Sequence, residues 1–326
     1  MRFRPRLPRA SPVLKSLLFL ACLALIYIVT RRHGSEGARP EASSPNAYVF
    51  YAAQDAYACS VLVNIYLLKT AYQTKHRIVV LLSKDVSAKY QYYIKSLGAE
   101  VIKEDPMPLH PESSDYYRGC LLKLAAFRMH EIDPTIHRIL VLDADQLILK
   151  ELDHLFDLPS TDLAAPRAYW LDHSFLSSTL MLIQPTPKLW SQIQQTVATL
   201  PPYQYDMDIV NSIFGDTAVR LPSSYIVLNN HWEDWTLPSW FSSAGTPSSS
   251  TSAPPEPSQT ASDKDLQDLL SQSHVLHFTA VGKPWMHDAW AVSELKPYAH
   301  PLLHRQWEEW RIIAMDVCPK GLIDHL

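Results

Sequence analysis

The sequence predicts an α/β fold with a mostly parallel central sheet flanked by helices. Three observations carry this expectation. Apolar runs of strand length alternate with helix-length stretches from Ala47 onward, the pattern of crossover connections. One run, Arg138-Ile139-Leu140-Val141-Leu142, leads straight into Asp143-Ala144-Asp145, and open α/β sheets bind ligands at the carboxyl ends of their strands. Finally, 326 residues with 47% hydrophobic and 19% charged content can bury a sizeable core, as one large domain or two smaller ones.

The elements follow in order. Ala47–Tyr51 is a strand. Asp55 is a helix cap, and Val61, Ile65 and Leu68 give Tyr57–Tyr72 helical spacing. Arg77–Leu82 is a second buried strand, Ala88–Leu97 a helix stopped by Gly98, and Glu100–Ile102 a third strand. Leu121–His130 reads as a helix carrying Lys123 and Arg128, ahead of the strand that ends at Asp143. Leu147–Leu149 stays extended, and Leu152–Phe156 is a short helix. Leu163–Ala165 and Ser178–Ile183 are strand candidates; Pro187 opens a helix through Leu200, and Asp206–Phe214 is another. Ser242–Ser262 is a Ser/Pro/Thr-rich insertion that cannot bury a core and is expected to be disordered. Order resumes at His274–Phe278, and Trp307–Val317 has helical spacing. Trp307 and Trp310 either pack on the domain or face an acceptor.

A net charge of −4 gives no basic footprint for nucleic acid. The cysteines, Cys22, Cys59, Cys120 and Cys318, match no zinc spacing; a Cys59–Cys120 bridge is one possibility. There is no Asn-x-Ser/Thr sequon, no Gly-x-Gly-x-x-Gly and no Walker-type loop. At the amino terminus, Arg2, Arg4, Arg6, Arg9 and Lys15 precede an uncharged run from Ser16 to Val29. Val13–Thr30 is just long enough to span a thin bilayer, and the preceding positive charge places residues 1–12 in the cytoplasm. A cleaved signal peptide is the rival, but Thr30-Arg31-Arg32-His33 offers no small-x-small site. The expectation is a transmembrane helix at 13–30, a stem at 31–45 and a luminal domain at 46–326.

Two aspartates one residue apart at a strand end repel unless a cation neutralises them, and Mg²⁺ or Mn²⁺ held there can carry a diphosphate. Alone, an Asp-x-Asp is more often a solvated turn. A second segment, His277-Phe278-Thr279-Ala280-Val281-Gly282-Lys283-Pro284-Trp285, adds an imidazole suited to Mn²⁺ and a lysine suited to a phosphate oxygen.

These segments resemble glycosyltransferase family 8, the glycogenin-like nucleotide-sugar transferases, and its fungal Golgi-type members. The resemblance runs over roughly residues 46–285 and rests on Leu140–Leu158 (LVLDADQLILKELDHLFDL) and on His277–Trp285, with a weaker match at Tyr51–Tyr57. It implies a GT-A type nucleotide-diphospho-sugar transferase fold and retaining, Mn²⁺-dependent transfer from a UDP-sugar to a glycan or glycoconjugate acceptor. Asp143, Asp145 and His277 match the metal ligands and Lys283 the diphosphate lysine. Tyr51, Ala53, Gln54 and Tyr57 sit where the family holds uridine. Lys123, Ala144, Ser177 and Ser178 fall at donor-contacting positions, and Asp206, with Asp208 beside it, at the acidic position near the sugar.

The chain departs from the family around the sugar. Leu176-Ser177-Ser178-Thr179 replaces Phe-Asn-Ser-Gly, Asp206-Met207-Asp208 replaces Asp-Gln-Gly, and Ala280 replaces a glycine. Asp206 or Asp208 is the candidate nucleophile; otherwise the leaving phosphate serves as base. The resemblance implies a single-pass type II Golgi membrane hexosyl- or N-acetylglucosaminyl-transferase. A nucleotide-sugar hydrolase and a non-catalytic luminal UDP-binding module are the alternatives.

Overall fold

The structure, a computed structural model, describes residues 44–114, 117, 119–171, 174–242 and 260–324. The expected cytoplasmic tail, anchor and nearly all of the stem lie outside the described residues, as does most of the Ser/Pro insertion. Among the described residues, no helix is long and apolar enough to cross a membrane.

Among the described residues, ten strands form two sheets. β1 (Asn46–Ala52), β2 (Arg77–Leu82), β3 (Glu100–Lys103), β4 (Arg138–Leu142), β6 (Leu163–Pro166), β7 (Leu180–Ile183) and β8 (Val219–Leu221) make a seven-stranded sheet in the order β3-β2-β1-β4-β7-β6-β8. β1 pairs in parallel with both β2 and β4, whereas β7 runs antiparallel to β4 and β6. The sheet is therefore mostly parallel, as expected. β2 shows why: in Arg77-Ile78-Val79-Val80-Leu81-Leu82 every residue after the first is buried, because helices cover both faces.

α1 (Asp55–Tyr66) continues through a π-helical turn, Leu67–Ala71, and α2 (Ala88–Ser96) follows β2. Gln54, not Asp55, is the cap residue of α1; the Asp55 carboxylate instead accepts from the Ser87 N–H at 2.8 Å. The segment before β4 corrects the sequence reading. It is a 3-10 helix over Cys120–Arg128 followed by a short α-turn, Met129–Ile132, rather than one amphipathic helix. Leu121–Phe127 is buried throughout, and a segment enclosed on all sides carries no 3.6-residue stripe.

The second sheet, in the order β5-β10-β9, joins β5 (Gln146–Ile148), β9 (Val227–Leu228) and β10 (Val275–His277). It pairs His277 with Gln146 on one side and with Leu228 on the other. α3 (Pro187–Ala198) and α4 (Asp206–Phe214) lie where expected. α5 (Asp263–Gln272), α6 (Ala289–Leu295) and the first turns of α7 (Pro301–Val317) are additions. The insertion also ends earlier than its composition suggests. Ala261 is buried, and Ser262 caps α5 with a reciprocal Asp265 capping box. Likewise Pro45, assigned to the stem, belongs to the domain, its carbonyl accepting from the His137 N–H at 2.7 Å.

The expected disulfide possibility is corrected as well. Cys59 on α1 pairs with Cys318 just after α7, and Cys120 is a free, half-buried thiol. Burial, reinforced by the Asp206 carboxylate, pushes the Cys120 thiol up to about 12. Trp307 and Trp310 are fully buried, which decides between packing and acceptor contact: they are core residues.

Candidate active site

Parallel pairing of β1 with β4 brings Tyr51 and Asp143 to the same sheet edge, where the Tyr51 hydroxyl donates to Asp143 Oδ1 at 2.8 Å. The backbone N–H of Asp143 bonds the Thr179 carbonyl, so the start of β7 reaches that edge too. Asp145 lies one step before β5, and the β5–β10 register delivers His277 to it: His277 Nε2 is 3.4 Å from Asp145 Oδ2. One ligand atom from each of Asp143, Asp145 and His277 falls within 4.8 Å of the others. A strand end and a segment more than a hundred residues away thus converge, as the motifs require.

Two lysines complete the cluster. Lys123, expected at a donor-contacting position, is buried between two carboxylates, its Nζ 2.7 Å from Asp143 Oδ1 and 2.7 Å from Asp206 Oδ2. Ser178 donates to Asp206 Oδ2 at 2.6 Å. Lys283 Nζ sits 2.7 Å from Asp145 Oδ2 and donates to the Phe278 carbonyl at 2.5 Å.

The electrostatics follow from burial and these contacts. Burial pushes the Asp143 carboxyl up, against the pull of the Lys123 ammonium and with the push of Asp145 and Asp206. Burial acts the same way on Asp145, but His277 and Lys283 outweigh it and hold that carboxyl below its ordinary value. For Asp206, burial is outweighed by Lys123 and Ser178, and its carboxyl also lies low. Desolvation works against the Lys123 ammonium, yet Asp143 and Asp206 raise it above the normal lysine value. Tyr51 is kept protonated by burial and by the surrounding carboxylates, and so remains a donor.

This donor set fits a divalent cation. Three carboxylates (Asp143, Asp145, Asp206) against two ammoniums (Lys123, Lys283) leave a net charge of 2 − 3 = −1. Hard carboxylate oxygens with one imidazole suit Mn²⁺ or Mg²⁺. Of the two His277 ring nitrogens, Nε2 is the one that faces Asp145, while Nδ1 is buried without a partner among the described residues.

The remaining expected residues divide. Ala144 is buried between the two aspartates. Ala53 and Gln54 lie between β1 and α1, Gln54 exposed and Ala53 packed so closely that a Cβ on Gly119 (φ +93°) would stand 2.7 Å from its own Cβ. The Tyr57 ring meets Trp285 edge-on at 5.0 Å, beside the Lys283 turn. Two residues are not brought into the cluster. Ser177 turns its hydroxyl to Thr179 at 2.7 Å. Asp208 is the third residue of α4 and accepts from the Tyr205 N–H at 2.8 Å, so its carboxylate caps a helix end. Of the pair Asp206 and Asp208, only Asp206 is brought to the cluster.

Asn229 escaped the sequence reading. Its Oδ1 accepts from the Thr279 N–H at 2.7 Å and the Ala280 N–H at 2.8 Å, and its own N–H donates to the His277 carbonyl. It thereby shapes the loop from His277 to Lys283. The left-handed positions of this loop are Val281 (φ 55°) and Gly282 (φ 87°), so Ala280 adopts no conformation that would require glycine. Its only signal is the tandem Asn229-Asn230, which has no local pattern.

No family model matches the chain. Among curated proteins it is similar to "Glucose N-acetyltransferase 1" of Gibberella zeae, at 28% identity over 74% of this chain and 53% of the relative. It is also similar to "Glycogenin-1" of Homo sapiens, at 28% identity over 53% of this chain and 49% of the relative. The fold is shared with the galactosyltransferase LgtC, solved with donor and acceptor sugar analogs (TM-score 0.54, 16% identity, 84% of this chain and 97% of that one). These similarities support the expected resemblance to glycosyltransferase family 8. The mixed α/β architecture matches the GT-A fold of the solved structures. The chain spans about half the length of the fungal relatives it matches first.

Proposed function

We propose that the chain is a retaining, Mn²⁺-dependent glycosyltransferase that moves a hexosyl or N-acetylglucosaminyl group from a UDP-sugar to a glycan or glycoconjugate acceptor. The observation that carries this is the convergence of Asp143, Asp145 and His277 with Lys283 at the carboxyl edge of β4. The named relatives and the shared fold support the same reading.

Asp143, Asp145 and His277 would hold Mn²⁺, which when bound supplies Lewis-acid stabilisation to a departing diphosphate. Lys283 adds a charge-assisted hydrogen bond to a phosphate oxygen, strengthened where water is scarce. Tyr51, Ala53, Gln54 and Tyr57 would border the uridine. Asp206 is the acidic group nearest the transferred sugar. Its carboxylate is already engaged by Lys123 and Ser178, which suits a fixed negative charge facing a positive sugar centre better than a free nucleophile. The leaving phosphate then takes the proton of the acceptor hydroxyl.

A type II anchor at 13–30 would place this domain in the Golgi lumen. The Cys59–Cys318 bridge supports an oxidising compartment. The test is UDP release by the full-length chain from a panel of UDP-sugars, with and without glycan acceptors. Mn²⁺-dependent release that accelerates with acceptor is expected. Release indifferent to acceptor would replace transfer by hydrolysis, and no release from any donor would leave a UDP-binding module.

A further inference from the structure

The carboxy-terminal helix α7 has no role in the account above, yet it is tied to both halves of the nucleotide site. Arg311 is buried on this helix, 4% exposed. Its Nη1 donates to the Pro284 carbonyl at 2.8 Å and to the His287 carbonyl at 3.0 Å. Those carbonyls flank the turn that follows Lys283, closed by the Met286 N–H on the Lys283 carbonyl at 2.8 Å. One guanidinium therefore pins both sides of the turn that presents the lysine. Both bonds leave one nitrogen, whose two N–H groups are held in the guanidinium plane.

The same helix reaches the uridine side. Trp310, next to Arg311, has its ring centroid 5.9 Å from that of Trp285, and Trp285 meets Tyr57. Trp310 Nε1 donates to Ser60 Oγ on α1 at 3.1 Å, in the buried interior. One residue earlier on α1, Cys59 carries the disulfide to Cys318 at the far end of α7. A closed path results: the Tyr57 end of α1, Trp285, the Lys283 turn, Arg311, α7, Cys318 and back to α1.

We propose that Arg311 is a positioning residue for Lys283, and that the Cys59–Cys318 bridge fixes α7 so that Tyr57 and Lys283 keep one spacing for the nucleoside diphosphate. This rests on the reading of Lys283 as the diphosphate lysine. The metal ligands sit just after β4, just before β5 and on β10, and the path meets them through the Lys283–Asp145 contact.

The test uses the full-length chain, titrated calorimetrically with Mn²⁺ alone and with UDP at saturating Mn²⁺. Arg311→Met keeps the stem but removes the donor to both carbonyls. It should weaken UDP binding about tenfold, one charge-assisted hydrogen bond's worth of ordering, without lowering Mn²⁺ affinity. Reducing the disulfide in the wild type, or Cys318→Ser, should give the same split and keeps the test valid if the arginine variant folds poorly. Unchanged UDP affinity in both arms, or a parallel loss of Mn²⁺ and UDP binding, would overturn the proposal. If the wild type binds no UDP with Mn²⁺, the reading of the site itself fails, a result separate from an unresponsive Arg311 variant.

Discussion

Lys283 faces two partners in turn, and this gives a prediction whose sign differs between two titrations. Its ammonium lies 2.7 Å from Asp145 Oδ2, with the two side chains 14% and 16% exposed. At that distance and an effective dielectric of about 20, the gross attraction is about 6 kcal/mol. Desolvation of both ions and residual water cancel most of it, leaving about 1–2 kcal/mol net. A divalent cation arriving at Asp145 must displace or tolerate this ammonium. Lys283→Ala should therefore raise the affinity for Mn²⁺ alone about tenfold. The same substitution removes the donor to the diphosphate, a charge-assisted bond of about 1.5–3 kcal/mol, so UDP binding at saturating Mn²⁺ should fall between about tenfold and a hundredfold. Mn²⁺ binding is read from the loss of the free-ion paramagnetic resonance signal, and UDP binding by calorimetry. If Lys283→Ala leaves Mn²⁺ affinity unchanged or lowers it, the lysine is not competing for Asp145 and the reasoning fails.

The other predictions concern the buried charges. Lys123→Met should destabilise the chain by about 3–5 kcal/mol, because Asp143 and Asp206 both lose a partner at 2.7 Å; an unshifted urea midpoint at neutral pH would contradict the buried triad. His231 is buried, which lowers its imidazole from 6.5 to about 4. Its folded value lies below its unfolded value, so the stability it contributes is present above pH 6.5 and is lost as pH falls towards 4. That loss amounts to about 3 kcal/mol at most. Urea titrations across this window should show the slope in wild type and a flatter one in His231→Gln; equal slopes would remove His231 as its source.

Much of the site was legible because its signals are local. A run of four apolar residues, Ile139–Leu142, leading into Asp143-Ala144-Asp145 announces a strand and its ligand edge, and His277 and Lys283 share one short segment. Choices between near neighbours were not legible. Ser177 against Ser178 and Asp206 against Asp208 depend on which way a side chain turns after β6 or at the start of α4, and composition does not encode that. Lys123 is placed near the donor by the family resemblance alone; its burial between Asp143 and Asp206 has no local signal. The 3-10 segment at Cys120–Arg128 is hidden because Leu121–Phe127 is buried on every side, Lys123 included, and so shows no one-sided stripe. The second sheet is hidden because β9 and β10 are two and three residues long, too short for a period of two to register. The cysteine partner was out of reach for a different reason: Cys59 and Cys318 are 259 residues apart, and spacing does not determine connectivity.

The central claim is that Asp143, Asp145, His277 and Lys283 form a metal-dependent diphosphate site. Calorimetric titration of UDP into the full-length chain, with Mn²⁺ and with EDTA, compared between wild type and Asp145→Ala, tests it most directly. The account predicts binding by wild type with Mn²⁺, none detectable with EDTA, and loss of the Mn²⁺-dependent binding in Asp145→Ala while the variant keeps its folded circular dichroism spectrum. Equal UDP affinity with Mn²⁺ and EDTA, or full Mn²⁺-dependent binding by the variant, would contradict it.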